Sequence, residues 1–247
     1  MNLLRRRSSE AARAVQAQAT DNVVKSVLDD FDQRVSEGLR TPGIDPEYVA
    51  LQSTWNRSVL GRVASAAMLP GRNRGSLLSV GAFYGFAESA LASIYERVVC
   101  VDLEDFLVNP PKNVQFIKSD IDSGDWNLPD EQYDCIMFVE MLEHLMWSPL
   151  PLLTWMRNHG RSLFITTPDA AEWPALEIHP WSRMQHFSAI PGAAPGQRGN
   201  PHPMKHVKQY AVAEFVELLS STGWRIDLLD RVGSGGHQVL LACTQAP

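Results

Sequence analysis

Residues 76–102 read SLLSVGAFYGFAESALASIYERVVCVD. A short apolar run, Ser76 to Val80, enters a turn with glycine at 81 and 85. A segment with helical spacing follows, and a second apolar run, VVCVD, closes on Asp102. Continuous apolar runs of strand length belong to strands covered on both faces, and their alternation with helical segments implies parallel pairing through crossovers. Glycine at the turn allows a tight backbone and close approach of a ligand, and the helix after it offers unpaired N–H groups. Asp102 lies 21 residues beyond Gly81 (81 to 102). A carboxylate at the end of a second strand, ~20 residues after the first glycine, is placed to accept hydrogen bonds from ribose hydroxyls.

Downstream the alternation continues with VQFIKSD, YDCIMFV and SLFITTP. The third run ends near Asp120, another acid at a strand terminus beside the same crevice. The helical pattern of Val212 to Thr222 stops at Gly223. Two strand-like runs, WRIDLLD and HQVLLACT, come next, joined by Gly233-Ser234-Gly235-Gly236. So short a join permits a hairpin and not a crossover, so the last strand is expected to run antiparallel. The fold class expected is α/β: an open, mostly parallel sheet with its last strand antiparallel.

Upstream, Leu3 to about Ala67 is polar with helical spacing, broken at Thr41-Pro42-Gly43. Residues 1–70 therefore read as an N-terminal helical cap and 71–247 as the sheet domain. Within the latter, 169–205 is a long insertion rich in Pro, Gly, His and Trp, of the kind that forms lids. Trp173, Trp181, Phe187, His179, His186 and His202 lie in it, and Trp55, Asn56 and Arg57 of the cap are expected to face inward over the pocket.

Composition bounds the function. The chain has 247 residues, 45 % of them hydrophobic and 20 % charged, close to a globular average. The formal charge is −6, from 22 basic and 28 acidic residues. That balance argues against a broad phosphate-binding surface, hence against nucleic acid, and favours a small or uncharged substrate. Cys100, Cys135 and Cys243 sit singly in apolar runs, as buried thiols of a reducing compartment do. The start, MNLLRRRSSEAARAV, lacks a signal-peptide core, and no apolar stretch reaches the ~18 residues of a membrane span, so a cytoplasmic protein without a transmembrane segment is expected. A dimer is compatible with these features.

The ordered blocks LLSVGAFYGFAESALA, VVCVDLEDF, VQFIKSDIDSGDWNLPDEQYDCIMFVEMLEHL and ITTPD, with the terminal helix and two strands, resemble the class I S-adenosylmethionine-dependent methyltransferases from Leu77 to Thr244. The resemblance implies a Rossmann-like sheet with S-adenosyl-L-methionine as cofactor. By it, Gly81, Ala82 and Gly85 approach the methionine part, Asp102 holds the ribose with Leu103 beside the adenine, and Asp120 meets the adenine amino group with Ile121 packing near the ring. Two positions depart from the family pattern: Phe83 stands where a glycine is usual and Ser79 where an acid is usual.

Val139-Glu140-Met141-Leu142-Glu143-His144-Leu145 follows the fourth run. On a helix starting there, Glu140, Glu143 and His144 share one face. The segment resembles the Glu-x-x-Glu-His of ubiquinone-type O-methyltransferases and of small-RNA terminal 2′-O-methyltransferases, and Lys205-His206-Val207-Lys208-Gln209-Tyr210 resembles their downstream histidine segment. The resemblance implies a metal site of Glu140, Glu143, His144 and His206, suited to Mg²⁺ or Mn²⁺. Without an ion, His144 or His206 remains a candidate catalytic base. The expected activity is O-methylation of a hydroxyl on a small-molecule or sugar acceptor. The alternatives are terminal 2′-O-methylation of RNA and a non-catalytic binding protein that keeps the fold.

Overall fold

The computed structural model describes residues 2–122, 126–145, 148–171, 208, 210–233 and 238–245. Two long helices, α1 (Asn2–Gly38) and α2 (Pro46–Ala67), lead into a seven-stranded sheet. In chain order come β1 (Ser76–Val80), α3 (Phe86–Leu91), β2 (Arg97–Asp102), β3 (Val114–Lys118), β4 (Cys135–Phe138), α4 (Leu150–His159), β5 (Ser162–Pro168), α5 (Val212–Ser221), β6 (Trp224–Val232) and β7 (Gln238–Gln245). The spatial order is β3-β2-β1-β4-β5-β7-β6. β1 to β5 pair in parallel, while β7 is antiparallel to both β5 and β6. The expected antiparallel last strand is therefore present.

The apolar runs are continuous because both faces are covered. Leu77, Cys100, Cys135, Met137 and Phe164 point to one face, where they join Phe31, Leu60, Val63 and Leu91 of α1, α2 and α3 in one buried cluster. Leu78, Val99, Ile136, Leu163 and Leu241 point to the other, against Leu153 and Met156 of α4 and Phe215 and Leu219 of α5. Residue-by-residue alternation thus sends each strand's side chains into two separate cores.

Strand order reverses between β1 and β4: the chain moves outward through β2 and β3, then returns to lay β4 and β5 on the other side of β1. At such a switch point the two diverging connections leave a crevice at the carboxyl ends of the strands. The three cysteines are all buried and free. No helix among the described residues is long and apolar enough to cross a membrane.

Two expectations need correction. The helical pattern over ESALASIYERV shortens to α3, ending at Leu91, because the Asn113 side chain donates to the carbonyls of Ala92 (2.9 Å) and Tyr95 (3.1 Å) and holds that stretch as turns. Arg57 does not face inward: it is exposed and paired with Asp32 of α1 at 2.9 Å. Asn56 is half-buried; the side chain of Trp55, and residues 172–205 of the predicted lid with their Trp, Phe and His residues, lie outside the described residues.

Candidate functional site

The turn after β1 is built on two left-handed glycines, Gly81 (φ 83°) and Gly85 (φ 68°). Gly81 donates its N–H to the Val101 carbonyl at 2.8 Å, tying the turn to β2. A Cβ at Gly81 would collide with the Met141 side chain, which enters from the far side of the switch point, and one at Gly85 would collide with Leu107. Phe83 lies between them with φ 45°, a conformation that costs a bulky residue free energy and persists only where neighbours hold it. Here Asp102 does so, accepting the Phe83 N–H on Oδ2 at 2.9 Å and the Leu103 N–H on Oδ1 at 2.7 Å. Burial raises the Asp102 carboxyl above its ordinary value, and these two N–H groups work in the opposite direction. Each oxygen keeps a further lone pair with which to accept a ligand hydroxyl.

The Phe83 ring packs on Tyr84 (centroids 4.2 Å apart) and Phe106 (5.2 Å), making an aromatic wall beside Asp102. Tyr84 also accepts the Asp45 N–H at 3.2 Å, so the α1–α2 connection touches this wall. Beneath the turn, Ser79 donates to the buried Glu88 carboxyl at 2.7 Å. On β3's side, Ser119 donates its N–H to the Asp102 carbonyl at 3.0 Å. The half-buried Asp120 that follows accepts the Asp122 N–H at 3.1 Å, and Ile121 is buried. Gly81, Ala82, Gly85, Asp102, Leu103, Asp120 and Ile121 therefore lie at or just beyond the carboxyl ends of β1, β2 and β3.

The segment after β4 is not the helix that its spacing predicts. Glu140 is left-handed (φ 52°), and Leu142–His144 form a single 3-10 turn, so the three side chains do not lie on one α-helical face. The cause is Thr166 at the end of β5. Its hydroxyl accepts the Glu140 N–H at 3.0 Å and donates to Glu140 Oε1 at 2.7 Å, encircling the residue. Glu143 is buried, takes a hydrogen bond from Thr167 at 3.3 Å, and has His144 Nε2 3.9 Å from its Oε1. Burial, then the adjacent Glu140 carboxyl, pushes Glu143 well above the carboxylate range. Thr166 engages one oxygen of Glu140 and Thr167 one of Glu143, and among the described residues no group of three or more potential metal ligands is gathered. His206 lies outside the described residues.

Glu88, Thr166, Thr167 and Lys208 are site features that sequence reasoning missed. Lys208 is 1 % exposed and donates its N–H to the Glu143 carbonyl at 3.0 Å. Burial pushes its ammonium down to about 8, against the pull of Asp122. The signals were faint: a serine inside an apolar strand, an acid in the first turn of an apolar helix, and a threonine pair closing β5.

The sheet order, the antiparallel β7 and the crevice at the β1–β4 switch make this the class I methyltransferase fold. No protein-family model and no curated protein matches the chain. Solved structures do. An S-adenosylmethionine-dependent methyltransferase from Clostridium acetobutylicum aligns with TM-score 0.57 at 10 % identity, over 87 % of this chain and 98 % of that one. Magnesium protoporphyrin IX methyltransferase from Synechocystis, with bound SAH, aligns with TM-score 0.56 at 14 % identity, over 88 % and 94 %. A SAM-dependent methyltransferase from Aquifex aeolicus aligns with TM-score 0.51 at 18 % identity, over 82 % and 94 %. At such identities the likeness is one of fold.

Proposed function

We propose that the chain is an S-adenosylmethionine-dependent methyltransferase acting on a hydroxyl of a small-molecule or sugar acceptor. The observation that carries this reading is Asp102. Its carboxylate is fixed by two backbone N–H groups at the mouth of the switch-point crevice, facing the collision-tight turn at Gly81. A rigid, half-buried carboxylate at the end of the second strand fits a ribose diol.

In this reading Asp102 accepts the ribose hydroxyls and Leu103 packs beside the adenine, with Asp120 and Ile121 at the far side of the ring. Gly81, Ala82 and Gly85 lie against the methionine part. The bound cofactor supplies an electrophilic methyl group on a sulfonium. His144, beside the buried Glu143 carboxyl, accepts the proton of the acceptor hydroxyl. His206 is a second base candidate on the returning segment. Placement of the acceptor oxygen in line supplies much of the acceleration, so enclosure matters. We assign acceptor choice to the N-terminal helices, whose connection reaches Tyr84, and to the 169–205 insertion.

Calorimetry with S-adenosylmethionine and its demethylated product tests the cofactor: binding by the native protein is expected, and Asp102→Ala should abolish it. Absence of binding by the native protein overturns the reading. Incubation with hydroxyl-bearing acceptors, read by mass spectrometry for one added methyl, tests the reaction. Normal cofactor binding without turnover on any acceptor would favour a non-catalytic protein of the same fold.

A further inference from the structure

Glu88 is the third residue of α3 and is 6 % exposed. Its carboxyl takes hydrogen bonds from Ser79 Oγ and from its own backbone N–H, and among the described residues no cation acts on it. The groups facing it are Ser79 from β1 and Cys100 and Asp102 from β2. From α1 and α2 the shared cluster brings apolar side chains, among them Phe31, Leu60, Val63 and Ala64. Burying a carboxyl without a counter-charge is costly, so the group is held neutral until a positive charge reaches it, and a perturbed acid beside a ligand site is a candidate for that role. Ser79 lies two positions before Gly81, so the carboxyl sits directly beneath the glycine turn.

This inference rests on the methyltransferase reading, under which the ligand brings two positive charges, an α-ammonium and a sulfonium. We propose that the Ser79–Glu88 pair is the receptor for that positive charge: a carboxyl supplied from α3, oriented by Ser79 and acting across the turn by its field. Glu88 is thus a positioning residue for the cofactor, with Ser79 orienting its carboxyl. Burial pushes its carboxyl up to about 7, so arrival of a cation expels the proton to solvent and leaves a carboxylate; no other bond changes.

The test compares two ligands in calorimetry: S-adenosylmethionine, which is cationic at both sites, and 5′-methylthioadenosine, which keeps the nucleoside and carries neither charge. Glu88→Gln is expected to weaken S-adenosylmethionine at pH 8 about tenfold, the effect of one pK unit of lost interaction. It should leave methylthioadenosine unchanged. At pH 6, where the native carboxyl is protonated, the difference should shrink. Ser79→Ala, which removes the hydrogen bond that favours the carboxylate, should move the midpoint of the native pH profile upward. Equal loss for both ligands marks a structural role and overturns the proposal, as does no loss, or a difference that ignores pH. If the native protein binds neither ligand, the methyltransferase reading fails and this inference with it. Binding by the native protein that is unaltered in the variant removes this inference alone.

Discussion

At position 81 an added methyl group has nowhere to go: the backbone is left-handed and Met141 fills the space. Gly81→Ala is therefore strained twice, by φ and by collision, with an expected cost of about 1–3 kcal/mol. Shortening Met141 to alanine in the same chain relieves only the collision, so thermal melts should show partial recovery of stability; full recovery would mean that φ carries no strain. Asp102 makes the complementary case, because its two oxygens hold two backbone N–H groups, one of them on the strained Phe83. Asp102→Asn replaces one acceptor oxygen with a donor facing an N–H. It should cost about 1–3 kcal/mol through that unsatisfied donor and weaken S-adenosylmethionine by more than about tenfold. Wild-type affinity in a variant of lowered stability would detach Asp102 from the ligand.

Among the elements, those legible in the sequence are those whose identity is local. Ser76–Val80, Arg97–Asp102 and Ser162–Pro168 read as strands because burial on both faces leaves apolar residues at consecutive positions. The hairpin of β6 and β7 follows from the shortness of its join. What failed were features settled by a partner far away in the chain. The spacing of Glu140, Glu143 and His144 suits a helix, yet Thr166, 26 residues on, captures Glu140 in a left-handed turn. Likewise Ser79 looks like a lost acid until α3 brings Glu88 against it. Of the candidate site, the crevice and its acids were legible; the hydrogen bonds that orient them were not. Thr166→Val keeps the shape of the side chain and removes both bonds to Glu140. The turn should lose about 1–3 kcal/mol, and turnover should fall by more than cofactor affinity does, since the altered turn carries His144 itself but reaches the cofactor side only through Met141 against Gly81. A parallel loss of cofactor affinity would refute that separation.

Across the whole molecule, α1 and α2 belong to the same buried cluster as one face of the sheet, with Phe31 and Val27 each 1 % exposed. Phe31→Ala should thus cost about 3–5 kcal/mol and lower the melting of the entire unit. Against this large apolar cover stands the Glu88 carboxyl, buried on the same side. Its ordinary value is 4.5, and burial lifts it to about 7. Between those values the folded chain holds a proton that the unfolded chain has lost. Stability therefore falls as pH rises through this window, by up to about 3 kcal/mol. Below pH 4.5 both states are protonated and Glu88 contributes nothing; above 7 the full cost of a buried charge is present. Asp102, raised in the same direction by burial, contributes a loss of the same sign that begins from its own ordinary value of 3.8. In urea unfolding without ligand, Glu88→Gln should match the native protein near pH 4.5 and exceed it at pH 8. Identical pH dependence in the two proteins would show that Glu88 ionises alike in both states. With saturating S-adenosylmethionine the order at pH 8 should narrow or reverse, because bound ligand adds stability with the logarithm of its concentration over its dissociation constant, and only the native protein offers it the Glu88 carboxylate.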